Sequence, residues 1–227
     1  MNRAGWLEVL RLKTFPIIVI AALLIGCGGG TKREPWLEGA KRPNNKWGYY
    51  SDSPITRWDP DGRNMTLLNE LRYTDPNGEV WIAPAGSVVD GASIPKSLWS
   101  IMGGPFEGKY RNASVLHDVS YDQHKRPWQD CDRMFYHAMR CSGVSAAEAG
   151  TMYYALYKFG HHWKFPIRKA KPLSKKERMA LAEPAQPVEF PRAIPVNSNQ
   201  IDDARDWIRN TEPSLEQIEQ RADAEPR

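Results

Sequence analysis

Pro127 constrains this chain more than any other single residue. A proline inside a helix lacks an amide donor and clashes with the preceding turn, so the helical patterns on its two sides must be separate elements. The first spans roughly residues 110–123 and the second about 128–142. Gly143 punctuates the chain again. Ser145-Ala146-Ala147-Glu148 then has the spacing of a capping box, in which serine and glutamate each satisfy the other's backbone amide, at the start of a third helix reaching Phe159. Met152, Ala155, Leu156 and Phe159 recur at i, i+3, i+4 and i+7, the stripe of a helix that packs on a core, and Gly160 is its expected C-terminal cap. The short connection across Pro127 makes the first two helices antiparallel neighbours.

Upstream, the stretch from Leu67 to Asp90 holds two β-type runs around Asp75-Pro76-Asn77-Gly78, a strong hairpin signal. Pro84 and Gly86 break the second run, and Val88 to Pro95 reads as a loop because Gly91 and Pro95 resist regular structure. The expected fold class is therefore mainly α with a small β-hairpin, an α+β domain over residues 65–160. Hydrophobic residues make up 41% of the chain, enough for one packed core, but the mean hydropathy of -0.60 says that this core does not fill all 227 residues. The flanks take up the remainder. Residues 28–64 read as a tether merging into the domain edge, 161–200 as a basic and then proline-rich linker, and 201–227 as a polar tail that is disordered or at most one marginal helix.

Residues 1–27 are set apart as a secretory signal. Arg3, Arg11 and Lys13 precede the apolar run Thr14–Ile25, which at twelve residues is short of the roughly 20 that a spanning helix needs. The run ends in Leu24-Ile25-Gly26-Cys27, which resembles a bacterial lipobox and makes Cys27 the expected lipidation site. Gly28 follows in place of an aspartate, and the expected location is the periplasmic face of the outer membrane. Cys131 and Cys141 remain. On one helix they stand about 15 Å apart along the axis, beyond the roughly 7 Å that a disulfide spans, so they are expected to be free thiols.

The chemistry-bearing residues lie on the first two helices and the preceding loop. His117 and Tyr121 share a face, while Asp118 is turned about 100° away. Asp132, Phe135 and Met139 share a face of the second helix, so Asp132 points inward among apolar side chains. A buried carboxylate requires a donor, and the His117 imidazole across the antiparallel pair is the natural one. A carboxylate on one ring nitrogen fixes the tautomer and leaves the other as a base. The alternative is a satisfied core histidine with no chemistry. Asp118, the loop acid Asp90 and the Gly91 carbonyl are hard oxygen ligands whose combination suits Ca²⁺. Leu98, Trp99, Ile101, Met102 and Phe106 read as core packing in preference to an acyl-chain channel. His124 and His137 lack acids at helical spacing, and His161-His162 is not a zinc pattern, since no Cys or acid follows at ligand spacing. The seven Lys and Arg between 164 and 178 lack interleaved aromatics, so no nucleic-acid partner is expected; anionic headgroups are the second reading after a solvated flank.

Taken in order, "DGASIP", "LHDVSY", "CDRMF" and "MYYALYKFG" are similar to the prokaryotic and fungal secreted phospholipase A2 pattern. The same set also resembles a phage and bacterial family of unknown function whose members carry D-G-A-S-x-P and H-D-x-x-Y. The resemblance covers about residues 65–160. It implies a phospholipase A2-like three-helix core with His117 as the general base activating water and Asp132 orienting it. It further implies Ca²⁺ held by Asp90, Asp118 and the Gly91 carbonyl, polarising the ester carbonyl. Where that pattern has two cysteines this chain has Ala92 and Ser114, as if one loop-to-helix disulfide had been dropped as a unit. The expected function is hydrolysis of a phospholipid ester by a membrane-anchored lipoprotein. The alternative is a non-catalytic phage- or envelope-associated lipoprotein that keeps the fold as a binding module in lysis or exclusion.

Overall fold

The computed structural model describes residues 46–91, 93–94, 99, 103–104, 106–165 and 195–226. The signal and lipidation site at Cys27, the tether before residue 46, Leu98, Ile101, Met102, most of the basic run and the proline-rich linker to residue 194 lie outside them.

Six short strands make two three-stranded antiparallel sheets. β1 (Tyr49–Tyr50), β4 (Leu71–Thr74) and β5 (Val80–Ala83) form one in the order β1-β4-β5; β2 (Thr56–Trp58), β3 (Met65–Leu67) and β6 (Val88–Val89) form the other in the order β2-β3-β6. The expected hairpin is β4–β5, paired Leu71 to Ala83 and Tyr73 to Trp81. Leu71, Tyr73, Trp81 and Ala83 alternate into the core while Arg72, Val80 and Ile82 face outward, the period-2 pattern of a half-buried ribbon. Its turn is held by Asp75, whose Oδ1 accepts from Asn77 N at 2.8 Å and Glu79 N at 3.0 Å, and by Gly78 at φ +85°, a conformation in which a side chain is strained.

The hairpin is only half of one sheet, so a single small hairpin understates the β structure, and the tether reading of residues 47–64 is corrected. β1 pairs with β4, and β2 pairs with β3 through Thr56–Leu67, Arg57–Thr66 and Trp58–Met65. Tyr50 explains why the domain begins this early. It is buried, tilts against Tyr73 at 5.0 Å, and donates its hydroxyl to the Ala138 carbonyl at 2.9 Å. Just before it Gly48 sits at φ +84°, where an added Cβ would lie 2.1 Å from the Thr74 carbonyl oxygen.

Five helices follow among the described residues, after one turn of 3₁₀ helix at Gly108–Tyr110. α1 (Arg111–Gln123), α2 (Trp128–Cys141) and α3 (Ala146–Phe159) are the expected three, with α1 ending at His124 in the left-handed conformation and Ser145 Oγ accepting from Glu148 N at 3.2 Å. Gly160 is the C-terminal cap of α3, as expected, and it closes the helix by close approach. Its φ is -68°, its N–H donates to Leu156 O at 2.7 Å, and a Cβ there would stand 2.4 Å from that oxygen. Cys131 and Cys141 are buried free thiols, as expected.

The polar-tail reading is also corrected. α4 (Ser198–Thr211) and α5 (Leu215–Ala224) both pack on α3, burying Ile201, Ala204, Ile208, Ile218 and Ala222. α3 is therefore buried on nearly every side, and Gly150 allows the approach: a Cβ there would come within 3.0 Å of Ile208 Cγ2. Asn197 caps α4, and Ser214 with Gln217 makes a complete capping box for α5. The sequence masked this pair because its apolar residues form narrow stripes of two or three positions on otherwise charged helices. The resulting architecture is mixed α and β, two small antiparallel sheets against a helical core. No helix among the described residues is long and apolar enough to cross a membrane.

Candidate functional site

α1 carries an unusual load for a helix buried on most of its surface: Asn112, Ser114, His117 and Asp118 are all inside, together with Asp132 from α2. His117 and Asp132 have no exposed surface at all. The antiparallel seam brings them together as the spacing predicts, with His117 Nε2 2.8 Å from Asp132 Oδ1. Tyr121, one turn after His117, donates its hydroxyl to the same oxygen at 2.6 Å. Burial, followed by the adjacent Asp132 carboxylate, raises the Tyr121 hydroxyl well above its ordinary pKa, so it stays a neutral donor. The ring of His117 also packs at a tilt against Tyr121 (centroids 4.1 Å apart) and Phe135 (4.8 Å).

The far ring nitrogen is engaged too, by a residue the motif reading did not single out. His117 Nδ1 lies 3.1 Å from Ser93 Oγ. Oδ1 of Asp132 acts as acceptor toward the tyrosine hydroxyl, so the ring presents N–H to it from Nε2, and in the neutral ring Nδ1 carries the lone pair that faces the Ser93 hydroxyl. Hydroxyl, imidazole and carboxylate thus stand in a line from loop to α1 to α2. Ser93 reaches this line because its loop is anchored from beneath. Asp118 Oδ2 accepts from Asp90 N at 2.9 Å and Gly91 N at 3.1 Å, and Oδ1 accepts from Ser93 N at 3.1 Å, with Gly91 at φ +71° turning the chain.

Asp90, Gly91 and Asp118 are therefore neighbours, as expected, yet their donor set does not fit Ca²⁺. The Asp118 carboxylate faces three backbone N–H groups, which place positive hydrogens where a cation would sit. The Asp90 carboxylate reaches out to Arg63, with Oδ2 3.0 Å from Nη2. The Gly91 carbonyl accepts from Ile94 N at 3.2 Å. Among the described residues no group of three or more His, Cys, Asp or Glu side chains is arranged to hold a metal.

A cavity of about 170 Å³ opens beside the line, bounded by Val88, Asp90, Ser93, Asp118, Tyr121 and Asp122. Ser93 and Tyr121 border it; His117 and Asp132 lie behind them. One atom of the line is left over: Asp132 Oδ2, fully buried, has no hydrogen-bond partner among the described residues. Ser114 Oγ, at one of the two positions where the phospholipase pattern has cysteine, is likewise buried without a partner, and Ala92 at the other lies outside the described residues.

Trp163 is a second residue that sequence reasoning missed, because it sits in what reads as the start of a basic flank. It is buried, meets Tyr121 edge-on at 4.9 Å, and donates Nε1–H to the Arg126 carbonyl at 3.1 Å, sealing the end of the α1–α2 seam. Its neighbour His162 stacks on Trp128 at 3.6 Å, so the domain extends past residue 160. Of the loop residues expected to be core, Trp99 and Phe106 pack partly against the core.

Residues 65–156 match the model of a family described as "Protein of unknown function (DUF1353)", a stretch that holds three of the four motifs whole and the start of the fourth. Two proteins of the bacterium Sinorhizobium fredii are similar. "Uncharacterized protein y4jT" is 43% identical over 119 residues, 52% of this chain and 35% of its own length. "Uncharacterized protein y4iH" is 37% identical over 107 residues, 47% of this chain and 45% of its own. The chain thus spans less than half the length of these curated relatives. No solved structure matches it.

Proposed function

We propose that the domain hydrolyses a carboxylic ester, with His117 as general base and Asp132 as the group that fixes its tautomer. The observation that carries this reading is the direction of the histidine: Nε2 is committed to Asp132, and Nδ1 keeps its lone pair on the side of a hydroxyl that borders a cavity. A base held in one tautomer, 3.1 Å from the oxygen whose proton it would take, meets the geometric requirement for general base catalysis, typically worth about 10²- to 10⁴-fold in rate. No step is routed through calcium. The cavity accommodates a reacting carbonyl and a few atoms around it, so any long acyl chain lies outside. The narrower form, a phospholipid ester cleaved at the membrane by a protein anchored through Cys27, is supported by the ordered motifs resembling secreted phospholipases A2 and by the lipobox-like segment. The carboxylates of Asp90, Asp118 and Asp122 around the mouth disfavour a phosphate close to the scissile bond, so that form requires the headgroup to face away.

The test is ester hydrolysis by the full-length chain in detergent, with p-nitrophenyl butyrate and with mixed phospholipid vesicles, beside His117→Ala. Release lost at least about 100-fold in the variant supports the reading. Hydrolysis of the soluble ester alone supports the hydrolase without the phospholipid. The second reading, a non-catalytic binding or structural module, is favoured by one observation: His117 and Asp132 are sealed from solvent, as a structural polar seam would be. It predicts no release from folded protein and a large loss of stability in the same variant.

A further inference from the structure

We propose that Ser93 is the nucleophile of this site, so that hydrolysis proceeds through an acyl-serine and not by direct attack of water. This rests on the hydrolase reading above. In the resting site His117 has no exposed surface and does not border the cavity, so no cavity water meets Nδ1 before Ser93 has reacted. The position in front of Nδ1 is already filled by Ser93 Oγ at 3.1 Å. Ser93 borders the cavity on its other side, and its backbone is fixed by the N–H it donates to Asp118 Oδ1 at 3.1 Å. Nucleophile within reach of a base, and base oriented by a third group, is the arrangement by which a weakly acidic hydroxyl is activated.

The chemistry balances with the groups present. Ser93 Oγ bonds to the ester carbonyl carbon as its proton passes to His117 Nδ1 and negative charge develops on the carbonyl oxygen. The imidazolium so formed keeps Nε2–H on Asp132 Oδ1. Collapse of the adduct breaks the bond to the alcohol oxygen, which leaves with the proton from Nδ1. Water then adds to the acyl-serine, giving its proton to Nδ1, and departure of Ser93 Oγ with that proton releases the carboxylic acid. Asp118 is a positioning residue here: it touches the loop backbone and acts only by holding Ser93 in front of Nδ1.

The experiment treats the full-length chain with a fluorophosphonate, reads the intact mass, maps the adduct, and follows p-nitrophenyl butyrate hydrolysis in parallel. The expected result is a single adduct at Ser93, absent in Ser93→Ala and formed at least about 100-fold more slowly in His117→Gln. Hydrolysis that depends on His117 but persists in Ser93→Ala without an adduct overturns the serine and leaves the hydrolase reading standing. An adduct at Ser93 without ester turnover supports the nucleophile and sinks the ester substrate. No adduct and no turnover from folded protein sinks both. If Ser93→Ala does not fold, Ser93→Cys carries the test. Iodoacetamide should then modify position 93 faster than the buried Cys131 and Cys141, at a rate that falls in the His117→Gln background; a rate indifferent to His117 overturns the proposal.

Discussion

Two of the places where the described residues bury charged groups treat them differently. Where α3 meets α5, Lys158 is almost wholly covered, and its Nζ donates to the Ala222 carbonyl at 2.6 Å and the Glu225 carbonyl at 2.7 Å. A cation at a helix C-terminus satisfies carbonyls that lack intrahelical partners and complements the helix dipole. Beside it Glu219 accepts a two-pronged pair from Arg133, at 2.9 and 2.7 Å, as well as the Tyr153 hydroxyl. Every contact there closes the end of an element or ties two elements together. In the α1–α2 seam the polar groups are deeper, and the arrangement is not closed. Asp132 keeps an oxygen without a partner among the described residues, and the Ser93–His117 contact ends at a cavity. An unmatched buried polar atom costs about 1–3 kcal/mol, and a carboxylate oxygen is the costliest kind to leave so. Under the hydrolase proposal the difference reads as stability for the Lys158 cluster and chemistry for the His117 line.

Asp132→Ala puts the contrast under the greatest strain. It leaves His117 Nε2–H and the Tyr121 hydroxyl buried with no acceptor, so urea unfolding should show a loss of about 3–5 kcal/mol. Asp132→Asn, which keeps an acceptor oxygen and the volume, should restore most of that stability while ester turnover stays depressed by about 100-fold or more. If the asparagine variant is as active as the parent, the seam is structural and the contrast collapses. Lys158→Met should cost less, about 1–2 kcal/mol, because it removes the buried charge itself and frees two neutral carbonyls, of which that of Glu225 is only partly buried. Its turnover should equal that of the parent at a temperature where both are folded. A fall in turnover there would mean that the two regions are coupled.

Much of this was legible because it is written in local residues. Pro127 and the Ser145–Glu148 box delimit the helices, and Asp75-Pro76-Asn77-Gly78 makes its turn with its own side chain and backbone. The His117–Asp132 contact follows from helical spacing plus one short connection. What escaped depends on distant partners. β1 and β2 are too short to show a period, and they become strands only because β4 and β3 are there to pair with them. The stripe of Ile201, Ala204 and Ile208 looks marginal until Gly150 and its neighbours offer a surface. Ser93 and His117 lie 24 positions apart, joined through a loop whose shape depends on Asp118. Sequence spacing turns Asp118 away from His117, as observed, but its partners are backbone N–H groups, which leave no mark in the side-chain alphabet, and so a metal filled the gap.

Arg63 offers the smallest effect and the finest test of that last point. Its pair with Asp90 is largely open to solvent, with the two side chains 54% and 30% exposed, so Arg63→Gln should change stability by well under about 1 kcal/mol. The parent's melting temperature should be the same in calcium and in chelator, because a ligand raises it only by binding the folded state and three N–H groups already occupy the Asp118 oxygens. Removing Arg63 withdraws the positive charge from Asp90 but leaves those N–H groups in place, so the variant should be equally indifferent. A melt that responds to calcium only after Arg63 is gone would show that Asp118 can exchange its backbone partners for a cation. It would return Asp90, Gly91 and Asp118 to the role that their sequence spacing suggests, and make Arg63 the residue that suppresses it.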